Sequence, residues 1–171
     1  GGYHKVVEEG MSIDKVRAFF AAYGRERDIL EFDVSSATVE LAAIAVGVEP
    51  ARIAKTLSFK VGEGCALIVT AGDAKIDNAK FKAFFKTKAK MLTPDEVVDF
   101  TGHAVGGVCP FALPEDGQVE VYTVVSLRRF DTVFPAAGSG NSAIELTCDE
   151  LFRFSNSKGW IDVCKGWQDQ A

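Results

Sequence analysis

Sulfur and imidazole ligands are scarce in this chain of 171 residues. It has two histidines and four cysteines, and no two cysteines form a CxxC pair. Zinc sites usually draw on closely spaced cysteines and histidines, so this spacing argues against a metal site. We expect reduced thiols, as in cytosolic proteins, and neither a metal nor another cofactor. The cysteines are Cys65, Cys109, Cys148 and Cys164.

Long hydrophobic runs are also missing. No uncharged apolar stretch approaches the roughly 20 residues that a membrane-spanning helix needs, and the first residues lack the basic-then-apolar pattern of a secretory signal. Apolar residues nevertheless make up 47% of the chain, which excludes a disordered tail. These features predict a cytoplasmic protein that has no membrane partner.

Positive charge is in deficit overall, since 19 basic residues face 24 acidic ones. A net charge of −5 argues against a protein that coats nucleic acid indiscriminately, and we expect no DNA partner. Residues 75–90 differ, because they contain six lysines and one aspartate. A lysine-rich helix face can bind phosphates, although most such faces are only solvated.

The apolar periodicity predicts an α+β fold. Helices are expected over 11–24, from Ser35 or Ser36 to Gly47, after Asp77, over 93–102 and at 151–154. Strands are expected over 29–32, 53–59, 65–71, 119–125, 132–136 and 143–147. Because regular strand–helix alternation is missing, we predict a mixed, mostly antiparallel sheet or a partly closed barrel, surrounded by helices.

The domain organisation is predicted to be simple. No linker, repeat or low-complexity tract divides the chain. We assign residues 12–171 to one domain and residues 1–11 to an N-terminal extension, in which Gly1 and Gly2 are a candidate cloning remnant.

Lys55 occupies an unusual position in the predicted strand 53–59. Period two places it on the same face as Ile53, Leu57 and Phe59, which are core residues by type. Burial of an unpaired ammonium group is costly, so such a lysine reaches solvent, pairs with an acid, or faces a pocket in which a ligand supplies the partner. The residues alone leave these alternatives open.

Two glycine-rich segments, 101–111 (TGHAVGGVCPF) and 136–142 (AAGSGNS), interrupt the apolar pattern. Glycines let the backbone approach a ligand and direct N–H groups at it, although either segment could be a plain connection. The second segment formally matches GxGxxA. Because extended residues follow it instead of a helix, we reject dinucleotide binding.

Two pairs of side chains could supply a nucleophile and its base: Cys109 with His103, and Ser139 with either histidine. No acid that would orient the imidazole can be identified in the sequence. A thiol or serine enzyme is therefore a minor alternative.

Four segments, taken together and in order, resemble the YbaK/EbsC family, which is related to the editing domain of prolyl-tRNA synthetase. They are 54–57 (AKTL), 71–77 (AGDAKID), 101–111 and 142–147 (SAIELT). The GxxxP stretch that runs from Gly106 to Pro110, at its distance after Lys55, is the most specific part. The resemblance extends over residues 12–155.

This resemblance implies a trans-acting deacylase that hydrolyses the ester of mischarged tRNA, with tRNA(Pro) or a related tRNA as substrate and prolyl-tRNA synthetase as a candidate partner. Lys55 matches the essential lysine of the family and would anchor the phosphate or ribose of the terminal adenosine. Gly106 and Gly107 would hold the attacking water or the scissile carbonyl. A hydroxyl of the substrate would assist the attack by water.

The resemblance also implies a pocket and a tRNA surface. His103 would line the aminoacyl pocket or hold the shape of its loop. Ala143 stands where some relatives that act on cysteinyl-tRNA carry Asp, so a preference for cysteine is not indicated. The alternative function is a non-catalytic module that binds aminoacyl-tRNA or a synthetase. The other expected pocket residues are Val105, Pro110, Gly138, Ser139 and Gly140, and the expected tRNA-binding residues are Lys75, Lys80, Lys82 and Lys86.

Overall fold

A computed structural model describes residues 9–168 of the chain. Five α-helices lie in this range: α1 (Glu9–Ala21), α2 (Val39–Val46), α3 (Asn78–Phe85), α4 (Pro94–Thr101) and α5 (Cys148–Phe154). The first five strands are β1 (Ile29–Glu31), β2 (Ile53–Val61), β3 (Gly64–Ala71), β4 (Lys75–Ile76) and β5 (Val119–Val124). The other five are β6 (Thr132–Pro135), β7 (Ser142–Ile144), β8 (Leu146–Thr147), β9 (Trp160–Ile161) and β10 (Cys164–Lys165).

The main sheet has six strands in the order β8-β6-β2-β3-β5-β9. The hairpin of β2 and β3 forms its centre and is antiparallel, as is the pair of β6 and β8. The other three pairings, β2 with β6, β3 with β5 and β5 with β9, are parallel and need long connections; the one from β3 to β5 carries α3 and α4. The predicted α+β fold with a mixed sheet is confirmed.

Local signals in the sequence set most helix boundaries. Thr93 and Glu96 form a capping box at the start of α4, and Gly102 ends that helix in the left-handed region. The expected cap of α2 at Ser35 or Ser36 is wrong, since the hydroxyl of Thr38 accepts the N–H of Leu41 at 3.2 Å. The segment before Thr38 remains extended because it bonds to the loop at 140.

Two apolar cores cover the two faces of the central hairpin. On one face, Phe20 of α1 packs edge-to-face on Phe111 and Phe154. On the other face, Phe59 packs against Phe81 of α3 at a ring-centroid distance of 5.0 Å. Strand β3 lies between these cores and is almost wholly buried, so the hairpin is a fixed platform for its neighbours.

Three short strands were not predicted. β10 pairs with β4, and β9 extends the main sheet beside β5. Each has only two residues, so no alternating pattern marks it in the sequence. Of the predicted N-terminal extension, residues 1–8 lie outside the described residues, and α1 begins at Glu9. None of the helices within residues 9–168 is long and apolar enough to span a membrane.

Candidate functional site

An apolar cleft of about 390 Å³ opens beside β2. Its sides are the start of α2, the segment that leads into α4, the loop at 105–108, and the residues between β6 and β7. The walls are mainly apolar but include several hydroxyl side chains, and Lys55 is the charged group among the lining residues that the structure describes. The apolar lining includes Val39, Ile53, Leu57, Leu92, Val97, Val108 and Phe134.

Lys55 is half-buried at this cleft. Its Nζ donates a hydrogen bond to the carbonyl oxygen of Gly72 at 3.3 Å, and no carboxylate in the described range forms an ion pair with it. Burial lowers the pKa of the amine more than the neighbouring Cys164, Asp73 and Glu40 raise it. An ammonium group has three N–H donors, so Lys55 retains donors for a ligand.

Gly72 is itself fixed by close packing. A Cβ atom at this position would lie 2.1 Å from the carbonyl oxygen of Pro50 and 2.6 Å from Cγ1 of Val39. Only glycine therefore fits between the end of β3 and the corner before β2. The carbonyl that holds Lys55 has a position set by the backbone.

The loop at 101–111 faces the cleft through Val105 and Gly106. Gly106 has a φ of +98°, which favours glycine, and Val105 is 60% exposed. The N–H of Gly107 donates to the carbonyl of Ala104 at 3.0 Å. The N–H of Gly107 is thus engaged within the loop, and the catalytic role expected of Gly106 and Gly107 stays a prediction.

Gly107 packs closely against the segment at 138–139. A Cβ atom there would lie 2.9 Å from Cα of Ser139. Pro110, expected in the same pocket, is buried and borders a separate cavity beside β5. Neither Gly107 nor Pro110 is among the residues that line the cleft.

His103 is fully buried and does not line the cleft. Its Nε2–H donates to the carbonyl of Phe111 at 2.8 Å, so the neutral ring accepts the hydroxyl of Ser12 at Nδ1. Burial lowers the pKa of this histidine, more than the bond to Phe111 raises it. These two bonds connect the loop to α1, and both roles expected of His103, in the pocket or in the shape of the loop, stay predictions.

The candidate nucleophiles are not arranged for catalysis. Sγ of Cys109 lies 3.6 Å from Nε2 of His103, but both residues are completely buried. Burial raises the pKa of the Cys109 thiol to about 12, so it remains protonated. The hydroxyl of Ser139 bonds to Asn141 and Ser142 and forms no hydrogen bond with His103, and His4 lies outside the described residues.

The segment 138–140 lies behind the cleft wall and contacts α1 and the residues before α2. Gly138 packs against α1, where a Cβ atom would lie 2.8 Å from the carbonyl oxygen of Ser12. The carbonyl of Gly140 accepts the N–H of Ser36 at 2.7 Å. These three residues are absent from the lining, contrary to expectation, whereas the flanking Ala136, Ser142 and Ala143 belong to it.

The lysines of residues 75–90 divide into two groups. Lys80 forms an ion pair with Asp162 at 3.1 Å and also donates to the carbonyl of Cys164, so it ties α3 to the C-terminal segment. The other expected tRNA-binding lysines, Lys75, Lys82 and Lys86, are exposed. Lys90, also exposed, precedes Met91, which lines the cleft.

Sequence reasoning missed several residues of the site. The hydroxyl-bearing Ser36, Thr38, Thr56 and Ser58 line the cleft, and a β-strand pattern gives no sign of this. Ser36 and Thr38 could have been suspected from their place before α2. Within residues 9–168, no group of three or more His, Cys, Asp or Glu side chains could hold a metal ion.

Known proteins are similar to this chain in sequence and in fold. YwhH of Bacillus subtilis (strain 168), an uncharacterized protein, is 60% identical over 160 residues, which are 92% of this chain and all of YwhH. Proline–tRNA ligase of Thermotoga sp. (strain RQ2) is 32% identical over 94 residues, which are 54% of this chain and 16% of the ligase.

A solved structure of a candidate trans-editing enzyme for prolyl-tRNA synthetase superposes with a TM-score of 0.80 at 27% identity. The match covers 91% of this chain and 98% of that one. The family profile of the aminoacyl-tRNA editing domain matches residues 34–154, which include β2, the loop at 101–111 and the whole cleft lining. The chain therefore belongs to the aminoacyl-tRNA editing domain family.

Proposed function

We propose that this protein is a trans-acting deacylase that hydrolyses the ester of a mischarged tRNA, with tRNA(Pro) or a related tRNA as substrate. The observation that carries the proposal is the position of Lys55, a partly desolvated cation with unused donors in a mainly apolar cleft. The apolar walls suit an uncharged amino acid side chain, and the ammonium suits the phosphate or ribose of the terminal adenosine.

The reaction needs no protein nucleophile. Water attacks the ester carbonyl, the bond between the acyl carbon and the ribose oxygen breaks, and a proton passes to that oxygen. The neighbouring ribose hydroxyl can relay the proton, so the substrate assists its own hydrolysis. Lys55 would orient the ester, and Gly106 would leave room for the reacting group beside Val105. The enclosed state of Cys109 and His103 agrees with this mechanism.

The comparisons support the choice of tRNA. Similarity to a proline–tRNA ligase and to a candidate trans-editing enzyme for prolyl-tRNA synthetase favours tRNA(Pro), and prolyl-tRNA synthetase is the proposed partner. We propose that Lys75, Lys82 and Lys86 contact the tRNA backbone without reading bases, while Lys80 has a mainly structural role. Such an activity would accompany translation in the cytoplasm.

A panel of mischarged tRNAs tests the proposal. Catalytic amounts of protein are incubated with tRNA(Pro) and with other tRNAs, each carrying a wrong amino acid, and loss of the ester is compared with loss in buffer. We expect accelerated hydrolysis of at least one member and slower hydrolysis of correctly charged tRNA. If the protein binds aminoacyl-tRNA but never accelerates ester loss, the non-catalytic binding module is the correct function.

A further inference from the structure

The outer edge of β2 is open where it borders the cleft. Strand β6 pairs with it only as far as Ala54. Pairing resumes with the segment at 90–92, where the carbonyl of Ser58 accepts the N–H of Leu92 at 3.1 Å. Residues 55–57 lie between these contacts, and nothing in the described part of the chain pairs with this edge of them.

Strand geometry identifies the residue of 55–57 whose main-chain N–H and C=O point to the open edge. Alternate residues direct both N–H and C=O to the same edge, and Ser58 and Lys60 use the outer edge. Thr56 therefore directs its N–H and C=O into the opening. The opposite edge of the hairpin supports this assignment. Cys65 is the β3 partner of Lys60, and its main-chain N–H also points away from the β2–β3 ladder and donates to the carbonyl of Gln118 at 2.7 Å.

Neighbouring polar groups do not satisfy this edge. The N–H of Gly107, in the adjacent loop, is bonded to Ala104, and Nζ of Lys55 donates to Gly72. The side-chain hydroxyl of Thr56 is enclosed and forms no bond within residues 9–168. An unpaired donor and acceptor between apolar walls favour a ligand that supplies both partners at once.

We propose, on the basis of the deacylase function above, that the main chain of Thr56 binds the α-aminoacyl group as a neighbouring strand would be bound. An α-aminoacyl ester presents an ammonium and a carbonyl with the spacing of N–H and C=O in one residue. The C=O of Thr56 accepts the ammonium, and its N–H donates to the ester carbonyl. This donor also stabilises the negative charge that develops when water adds to the carbonyl.

In this proposal the main chain of Thr56 and the apolar wall of the cleft bind different parts of the aminoacyl group. Residues directly opposite in a sheet place their side chains on the same face. The side chain of the aminoacyl group would lie on the Thr56 face of β2, where Leu92 and Val97 pack in one core with Ala54. Thr56 thus recognises the α-aminoacyl class, and the apolar wall selects the member by size.

The contact can be tested by NMR with a ligand that does not hydrolyse. The probe is 3′-alanylamino-3′-deoxyadenosine, in which an amide replaces the ester, and it is compared with its N-acetyl derivative. We expect the amide resonance of Thr56 to shift on binding, whereas that of Lys60, on the same edge outside the cleft, does not shift. Acetylation removes the charged donor and should weaken binding about 10- to 100-fold.

The contact is refuted if the probe does not shift the amide resonance of Thr56, or if the probe fails to bind. It is also refuted if the acetylated probe binds as tightly as the free amine. Parallel hydrolysis assays separate this result from the fate of the deacylase. Equal hydrolysis of free and N-acetylated aminoacyl-tRNA would retain the deacylase and overturn the Thr56 contact. A shifted Thr56 amide without hydrolysis of any tRNA would retain the contact and overturn the deacylase.

Discussion

The loop at 101–111 has two sides with different chemistry. On the cleft side, Val105 and Gly106 line the same cleft as Lys55. On the inner side, His103 and Cys109 lie within 3.6 Å of each other, fully buried. The inner pair has the residue types of a catalytic dyad, yet main-chain and hydroxyl groups occupy both nitrogens of the imidazole.

The difference between the two sides shows that access and unsatisfied bonding capacity distinguish a site from a core. His103 has used its hydrogen bonds to hold the fold together. Lys55 has used one donor and keeps the others at a surface that a ligand can reach. Substitutions on the cleft side should therefore change reaction rates, and substitutions on the inner side should change stability.

The largest effect is expected on the cleft side. Lys55→Ala should lower kcat/KM for a hydrolysed mischarged tRNA about 100-fold, because a charged hydrogen bond to substrate is removed. The melting temperature should hardly change, because Lys55 forms no ion pair in the described range and makes one bond to Gly72. Rates and melting curves, measured on the same preparation, check both statements.

The pH profile sharpens this prediction. Burial lowers the pKa of Lys55 from 10.5, so the ammonium is lost at a lower pH than in a free lysine. After subtraction of uncatalysed hydrolysis, kcat/KM should fall with rising pH at a midpoint below 10.5. Lys55→Arg, the matched control, keeps a cation and should remove this alkaline fall. Full activity of Lys55→Ala would contradict the role given to the cleft.

An intermediate effect is expected on the inner side. His103→Gln should lower the free energy of unfolding by about 1–3 kcal/mol, because buried bonds to Ser12 and Phe111 are broken or distorted. kcat should change little at temperatures where the variant is folded. Chemical denaturation at about pH 7.5, where the ordinary histidine pKa leaves the ring neutral, measures the first quantity, and the deacylation assay measures the second.

The same histidine makes stability depend on pH. Its pKa in the folded state is lowered from 6.5 by burial, so below that pH the unfolded chain binds a proton that the folded protein does not. The contribution of neutral His103 is complete above pH 6.5 and is lost as the pH falls from there. His103→Gln should remove this slope. An unchanged slope would assign the acid sensitivity to other groups.

The smallest effect is expected at the basic surface. Lys82→Glu or Lys86→Glu should weaken tRNA binding a few-fold and reduce its salt slope by about 1 for each phosphate that the variant no longer neutralises. Hydrolysis of a minimal aminoacyl ester should not change. Arg27→Glu is a matched control, since it makes the same charge change at an exposed residue outside the basic segment. If the salt dependence of tRNA binding is equal for all variants, Lys82 and Lys86 are solvated surface residues that do not contact tRNA.

Local sequence signals predicted the elements that depend on near neighbours. The helices after Asp77 and Thr93 and the hairpin of β2 and β3 follow from caps, turns and periodicity. The two-residue strands did not, because β4 pairs through Lys75 with Lys165, far along the chain. Such pairing is decided by the tertiary fold, which no window of sequence contains.

The candidate site likewise contains residues that local sequence predicts and residues that only tertiary contacts place. Period two in β2 singled out Lys55, and the structure places it at the cleft. Which side of a glycine-rich loop faces that cleft could not be predicted, because contacts from α1 decide it: Ser12 bonds to His103, and the backbone at Ser12 meets Gly138. The open edge at Thr56 was equally invisible, since it exists where β6 diverges from β2.

The carbonyl of Gly72 carries an evolutionary consequence. A side-chain acceptor for Lys55 could be removed by a single substitution, whereas this oxygen belongs to the main chain of a glycine that packs closely against Pro50 and Val39. Substitutions can therefore change the surrounding apolar surface without removing the hydrogen-bond acceptor of Lys55. A protein built in this way can change its preference for an acyl group while it inherits the same charged centre.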